Sequence, residues 1–493
     1  MPFNFFKCKL LFNAKNITLF VLFFGATNFS FSQKLISKEE FNKDLNFLFQ
    51  KLEKHHLGYD YYLSAEELNK EKDILINSLP DSLDQRTAFL KTSYLISLLK
   101  DLHTSVLLPK ELSQKNEKVL PFVLRKFEDR FFIHYNVSND STLIRTSEVI
   151  SIDSEKVYTI YQNLKNLYGT DNGNDISKEY YAERAFYRYY YLLEGNKDSV
   201  LIAFKINDDS LAVSKKIATV ASKDFSKLLV SKYKNATRKN MNFVVLDSSA
   251  KIAKLDITRF MHKYNVFDVN QLKFKKDLKK AFKQASNEKI ENLIIDLRAN
   301  GGGYIPNVGR LISYLSPEKF NLIDSMTFKK ESYFKIFPIY SLFPPVVAPI
   351  LFSRNKNKDF ILRNSFKKSI KPKRKYRFDG QVFVLMDGGS YSATTFTIGL
   401  LKSLNRATFI GTRPAGANWG SFAGTWTTAT LPFSKVKARI PLYKIVHAQK
   451  NQSNASFFVE PDFYVEQNFE DFKIRKDTQI EFTIELIKNK INK

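Results

Sequence analysis

The sequence predicts an α/β protein with more than one core and a mainly parallel sheet in its C-terminal half. Three observations carry this expectation. The chain has 493 residues, too many for a single hydrophobic core, so two or three domains are expected. From about residue 251 onward, apolar strand-like runs alternate with amphipathic helical stretches, the pattern of a parallel sheet with crossover helices. The two segments ahead of it have other periods: helical spacing over 34–108, and short β-type runs over about 117–246.

The N-terminus reads as an export signal. Lys7, Lys9 and Lys15 precede the apolar run Ile17 to Gly25, and the small residues Ser30 and Ser32 stand just ahead of Gln33. A basic, apolar, small order with so short a run predicts a signal peptide over residues 1–32, with an uncleaved N-terminal anchor as the alternative. Cys8, the only cysteine, lies inside it. The mature chain would have no thiol, which excludes disulfides, cysteine nucleophiles and cysteine-rich metal sites. Losing the three lysines of the signal takes the net charge from +27 to +24. The lysines are spread along the chain without a helix-turn-helix or zinc-finger pattern, so nucleic acid is not an expected partner. The positive charge instead suits an anionic envelope surface or acidic substrates, and the expected location is the periplasm or cell envelope, with secretion as a variant.

Residues 33–110 are expected to form a helical domain. Phe41, Leu45, Phe47, Leu48 and Leu52 recur at helical spacing, Leu90 to Leu99 repeats it, and Pro80-Asp81-Ser82 marks a turn. Residues 115–247 are expected to form a small mixed-β domain, with runs such as Phe131 to Tyr135 and Val200 to Phe204 between Asn/Asp/Ser-rich breaks. The domain over 248–493 follows. Ile252 to Ile257 and Asn292 to Arg298 read as strands, Phe274 to Ala285 as a helix, Val382 to Met386 as a strand and Ala393 to Leu404 as a helix. An insert over 325–375, apolar and then Lys-rich, interrupts the alternation. It reads as a lid, a dimerisation arm, a docking element for an anionic membrane, or a neutral insertion.

Two loops carry the chemistry. Asn300-Gly301-Gly302-Gly303 leaves a buried strand and enters a helix, where glycines let backbone N–H groups face a cleft. Asp387-Gly388-Gly389-Ser390-Tyr391-Ser392-Ala393 also runs from strand to helix and exposes a serine hydroxyl at the helix start. Read alone, the first could be a tight turn and either serine a helix cap. Both fall at the C-terminal edge of the expected sheet, where ligands bind in such folds.

Together the stretches IIDLRANGGG and VFVLMDGGSYSATTFTIGLLKSLNRATFIGT resemble the core of the S41 serine peptidases, the tail-specific or C-terminal-processing protease group. The resemblance covers about residues 251–465 and ends at Val459-Glu460-Pro461-Asp462, similar to the family's V-x-P-D. It implies a crotonase-like/ClpP-like α/β core, no cofactor or metal, and hydrolysis of polypeptide substrates. Carried over, the nucleophile falls on Ser392, one oxyanion donor on Ala393 N–H, and the other on Gly302 or Gly303. Glu148 to Asp153 resembles a strand of the family's PDZ-like domains, although the preceding glycine is replaced by Thr146-Ser147.

The general base departs from the Ser–Lys branch of the family. Its lysine would fall at Ala417, so the chain is closer to the tricorn-core and retinoid-binding-protein-like branch, whose peptidases use histidine. Asp101-Leu102-His103-Thr104 resembles that branch's D-G-H-T segment, which implies His103 as base. An imidazole has a suitable pKa for this work at neutral pH. Asp101 could orient it, and the branch's glutamate would fall at Ala455. His55, His56, His134, His262 and His447 lack such a setting and read as structural or exposed. Asp296 with Arg298 reads as a buried ion pair and Lys402 as a surface residue. The alternative function is a catalytically inactive S41-fold binding protein of the cell envelope.

Overall fold

The computed structural model describes residues 35–112, 117–207, 210–234, 238–262, 271–338, 345–367, 369–448 and 456–491. The expected signal peptide and Ala455 lie outside these. The first helix, Lys38–His55, starts at a capping box: Ser37 Oγ accepts the Glu40 N–H at 3.1 Å, and a Glu40 carboxylate oxygen accepts the Ser37 N–H at 2.8 Å. Helices Ala65–Asn77 and Gln85–Ser97 follow, capped by Ser64 and Asp84. Phe41, Leu45, Leu48 and Leu52 form one fully buried face. Phe47 is only partly buried. That face does not close a core among the helices alone. It packs on Ala429, Leu431, Val436, Ala438 and Ile440 of a distant hairpin. Asp44 stands in this apolar contact because its carboxylate accepts the backbone N–H groups of Phe433 and Ser434, both at 2.8 Å.

The next region holds an antiparallel sheet whose path runs Val213–Ala218, Ser199–Lys205, Glu148–Ile152, Arg130–Asn136, Phe122–Phe127. It is less purely β than its sequence suggests. A 20-residue helix, Asp175–Glu194, buries Ala182, Phe186 and Tyr190 at helical spacing. Its many tyrosines blur that period, since each has an apolar ring and a polar tip. The helix also touches the C-terminal core: Asn174 Nδ2 donates to Pro414 O at 2.8 Å and Ser177 Oγ to Gly388 O at 2.9 Å.

The core sheet runs Met241–Asp247, Ile252–Ile257, Asn292–Asp296, Gln381–Met386, Thr408–Gly411, Phe463–Tyr464. Only its first pair is antiparallel. Asn292–Asp296 is buried along its whole length, as a central parallel strand must be. Helices Leu272–Asn287, Ile305–Leu315 and Ala393–Ser403 cover it with buried apolar residues. A second, antiparallel sheet runs Phe352–Arg354, Phe360–Leu362, Ile323–Phe328, Lys437–His447, Gly420–Thr430. The described part of the insert is therefore a sheet edge with its own small core of Phe328, Phe337, Phe352 and Phe360. Ser105–Leu107 adds to the same sheet by pairing with Lys437–Arg439. Among the described residues no helix is long and apolar enough to cross a membrane.

Candidate active site

The loops that follow Asn292–Asp296 and Gln381–Met386 lie side by side because the two strands are neighbours in register. Asp387 stitches them: one carboxylate oxygen accepts Ala299 N–H at 2.8 Å and Gly389 N–H at 3.0 Å. Asn300 adds a second stitch, its carbonyl accepting Tyr391 N–H at 2.9 Å. Ser390 is fully buried and its Oγ donates to Leu297 O at 2.9 Å. That hydroxyl is a structural fastener. Ser392 is half-buried and stands at the helix start with φ 58° and ψ −120°, a backbone conformation costly for any residue with a Cβ. Held there, it presents its side chain at the tip of a sharp strand–helix turn.

Gly302 lies against this tip. A Cβ on it, at φ +92°, would sit 2.7 Å from Ser392 Cβ and 2.8 Å from Ala393 N. Its N–H donates to Asn300 Oδ1 at 2.9 Å, while Asn300 Nδ2 donates to Ile257 O at 2.8 Å. Of Gly302 and Gly303, the two residues expected to offer the second oxyanion donor, Gly302 has its N–H engaged by Asn300. Neither Gly303 N–H nor Ala393 N–H donates to another group among the described residues.

His103 reaches the same tip from the far end of the chain. Its Nε2 is 3.1 Å from Ser392 Oγ, across 289 sequence positions. The pairing of Ser105–Leu107 with Lys437–Arg439 delivers it. His103 Nδ1 has no hydrogen-bond partner among the described residues and lies 3.9 Å from Asp101 Oδ1, beyond hydrogen-bond reach. Burial pushes the imidazole down to about 4, helped by the charge of Arg439 and opposed by Asp101. His103 is therefore neutral near pH 7, as a general base must be.

Asp101 is buried and engaged three times. Its Oδ1 accepts His103 N–H at 3.0 Å, and its Oδ2 accepts the Thr104 hydroxyl at 2.5 Å and His56 Nε2–H at 2.9 Å. Gly58 N–H donates to His56 Nδ1 at 2.7 Å, which fixes the proton of His56 on Nε2. Burial alone would raise the Asp101 carboxyl. The hydrogen bonds from His56 and Thr104 overcome this and hold it below its ordinary value. His56, expected to be structural or exposed, is fully buried one residue beyond this carboxylate and covered by Phe422, ring centres 5.0 Å apart. The His-His pair at a helix end offered no sign of it.

Asp171 is a further buried carboxyl, not among the site residues expected from the sequence. It accepts Leu102 N–H at 3.1 Å and Ala417 N–H at 3.0 Å, so it bridges the base loop to the position where the Ser–Lys branch has lysine. Burial, then the neighbouring Asp101 charge, push it up to about 7. Tyr391 packs on His103 with ring centres 4.5 Å apart, and Trp426 follows at 6.5 Å. Of the other histidines, His55 meets Ser332, His134 meets Arg145, His262 approaches Asp277, and His447 stacks on Phe396. None faces Ser392. Arg298 pairs with Asp296 and Asp477. Lys402 is bonded to Glu460 O and Asp462, and so anchors the closing segment.

No curated protein matches the chain. Among solved structures, mature CPAF complexed with lactacystin is 15% identical, covers 92% of this chain and 98% of its own, and has a TM-score of 0.62. Mature CPAF has the same identity and coverage with a TM-score of 0.61. The photosystem II D1 C-terminal processing protease is 13% identical over 86% of this chain and 93% of its own, at 0.41. The CPAF likenesses show a shared mixed α/β fold. The family model described as Peptidase family S41 matches residues 251–465, which hold both loops and the closing segment. Over these residues the chain is similar to peptidase family S41.

Proposed function

We propose that this protein is an exported serine endopeptidase of the C-terminal-processing type, acting in the cell envelope through a Ser392 acyl-enzyme with His103 as base. The observation that carries the reading is the 3.1 Å contact between His103 Nε2 and Ser392 Oγ. In this mechanism Ser392 Oγ attacks the peptide carbonyl while its proton passes to His103 Nε2. Ala393 N–H and Gly303 N–H hold the oxyanion, since both are uncommitted. His103 then gives the proton to the leaving amine, and water reverses the sequence to free the acid. The ionised Asp101 stabilises the transient imidazolium, and a small turn of the ring closes the 3.9 Å gap to Nδ1. The histidine base sets the chain in the tricorn-core and retinoid-binding-protein-like branch, and residues 115–247 are read as its PDZ-like domain.

A second reading, an inactive S41-fold binding protein, draws on the unpartnered Nδ1 of His103 and on Ala417 in place of lysine. A fluorophosphonate probe separates the two. It is expected to label the wild-type protein, to label His103→Ala far more slowly, and to leave Ser392→Ala unlabelled. An unlabelled wild type, or labelling that survives Ser392→Ala, would sink the peptidase reading.

A further inference from the structure

Arg439 stands out among the arginines near the site. Arg298 is paired with Asp296 and Asp477, Arg238 with Asp256 and Asp296, and Arg413 with Glu460. The half-buried Arg439 guanidinium makes no hydrogen bond or ion pair with any described residue. It lies over the Trp426 ring, 3.9 Å from the ring centre. Trp426 is in turn a neighbour of His103. The side chain is placed by rigid elements, because Arg439 pairs across the sheet with Ser105, two residues beyond the base. Two further polar groups in this cluster are buried and have no hydrogen-bond partner among the described residues, the Trp426 Nε1–H and the Tyr391 hydroxyl. Buried donors without acceptors are uncommon, and several gathered around a reactive imidazole call for an explanation.

The one carboxylate facing His103 from its own loop, Asp101, already accepts from His56, Thr104 and the His103 N–H. It is not a counter-ion for Arg439. A guanidinium stacked on an indole keeps its planar donor fork oriented, the arrangement suited to a carboxylate.

We propose that Arg439, held on the Trp426 ring, forms a subsite for a substrate carboxylate next to the scissile bond. The carboxylate is an acidic side chain or the free C-terminus of the substrate. This rests on the reading of Ser392 and His103 as the reacting pair, and it adds which peptides that pair prefers. It also gives Arg439 an electrostatic part. The bare guanidinium holds down the basicity of His103, and a docked carboxylate cancels that field, so the correct substrate strengthens the base that acts on it.

The test uses quenched fluorescent peptides in which one glutamate, or the isosteric glutamine, is walked along both sides of the cleaved bond. A second series ends in a free carboxylate or an amide. Wild-type protein is expected to prefer the carboxylate member by roughly 10- to 100-fold in kcat/KM at one position, the effect of one charge-assisted contact. A preference in the first series identifies a side chain, and in the second a chain end. Arg439→Gln should erase the preference, and it should cleave glutamine and amide peptides no more slowly than wild type, since the guanidinium field on His103 is gone. Arg439→Lys should retain part of it, and equal melting temperatures show that both variants fold. The proposal is overturned if wild type cleaves both members equally well at every position, or if Arg439→Gln keeps the preference. Binding of the same peptides to Ser392→Ala protein separates the two claims. A carboxylate preference in binding that depends on Arg439, without any cleavage by wild type, would overturn hydrolysis and support the subsite. Equal binding with and without Arg439 would overturn the subsite whatever the cleavage result.

Discussion

Ser392 and His103 are 3.1 Å apart, yet the structure supports them by opposite means. The Ser392 side is local. Two adjacent parallel strands end in two loops, and Asp387, Ser390 and Asn300 fasten those loops with short hydrogen bonds. The His103 side is long-range. Its loop is held by three residues of strand pairing, by the buried His56–Asp101–Thr104 cluster, and by helices that pack on the hairpin carrying Arg439. Damage to the first side should therefore appear first in chemistry, with any loss of stability confined to the strain of the two loops. Damage to the second should mix rate with folding.

The strongest test of that contrast is at the contact itself. His103→Ala is expected to lower kcat by roughly 10⁴-fold or more, as removal of the base does in serine hydrolases. Gly302→Ala should follow with about 10²- to 10³-fold, because its methyl group occupies the space beside Ala393 N where the oxyanion must sit. Single-turnover cleavage and thermal melts measured together check both, and a fully active Gly302→Ala enzyme would refute the placement of the oxyanion site.

On the long-range side, His56→Ala takes one of its three donors from the buried Asp101 and is expected to cost about ten- to a hundredfold in kcat. His56→Gln should recover part of the loss, since its amide can still donate. Rate and pH profile are read together. In wild type, kcat/KM should fall only as pH drops through about 4, where His103 takes up a proton and ceases to be a base. Losing the His56 donor raises the Asp101 carboxyl, and an Asp101 that is more readily neutralised supports protonated His103 less, so the acid limb should move to lower pH. An unmoved limb would reduce His56 to a packing residue. The smallest effect belongs to Lys402→Ala, which removes a partly exposed pair with Asp462. Less than about 1 kcal/mol of stability should be lost, seen as a minor shift in denaturant midpoint.

The parallel core was largely legible, because buried strands such as Asn292–Asp296 and amphipathic helices such as Leu272–Asn287 impose periods that residue order displays directly. The serine and the histidine were legible by motif spacing. Residues recruited through tertiary packing were not. Asp171 looks like any Asp-Asn-Gly turn until the tyrosine-rich helix after it presses that turn onto Ala417. His56 looks like a helix terminus until Gly58 and Asp101 fix its two nitrogens. Arg439 reads as one more cation in a basic chain, since nothing local says that its neighbours across the sheet are Ser105 and Thr428. The commitment of Gly302 N–H to Asn300 depends on a side-chain rotamer, which a loop motif does not specify.

The pairing of Ser105–Leu107 with Lys437–Arg439 has a consequence for how such a chain comes into being. Translation delivers the imidazole early, the hydroxyl 289 residues later, and the hairpin that docks the imidazole after both. A nascent chain still on the ribosome has nothing against which to dock the histidine loop. Completion of nearly the whole polypeptide is thus what brings the two side chains together, and an unfinished copy has no His103 docked beside Ser392.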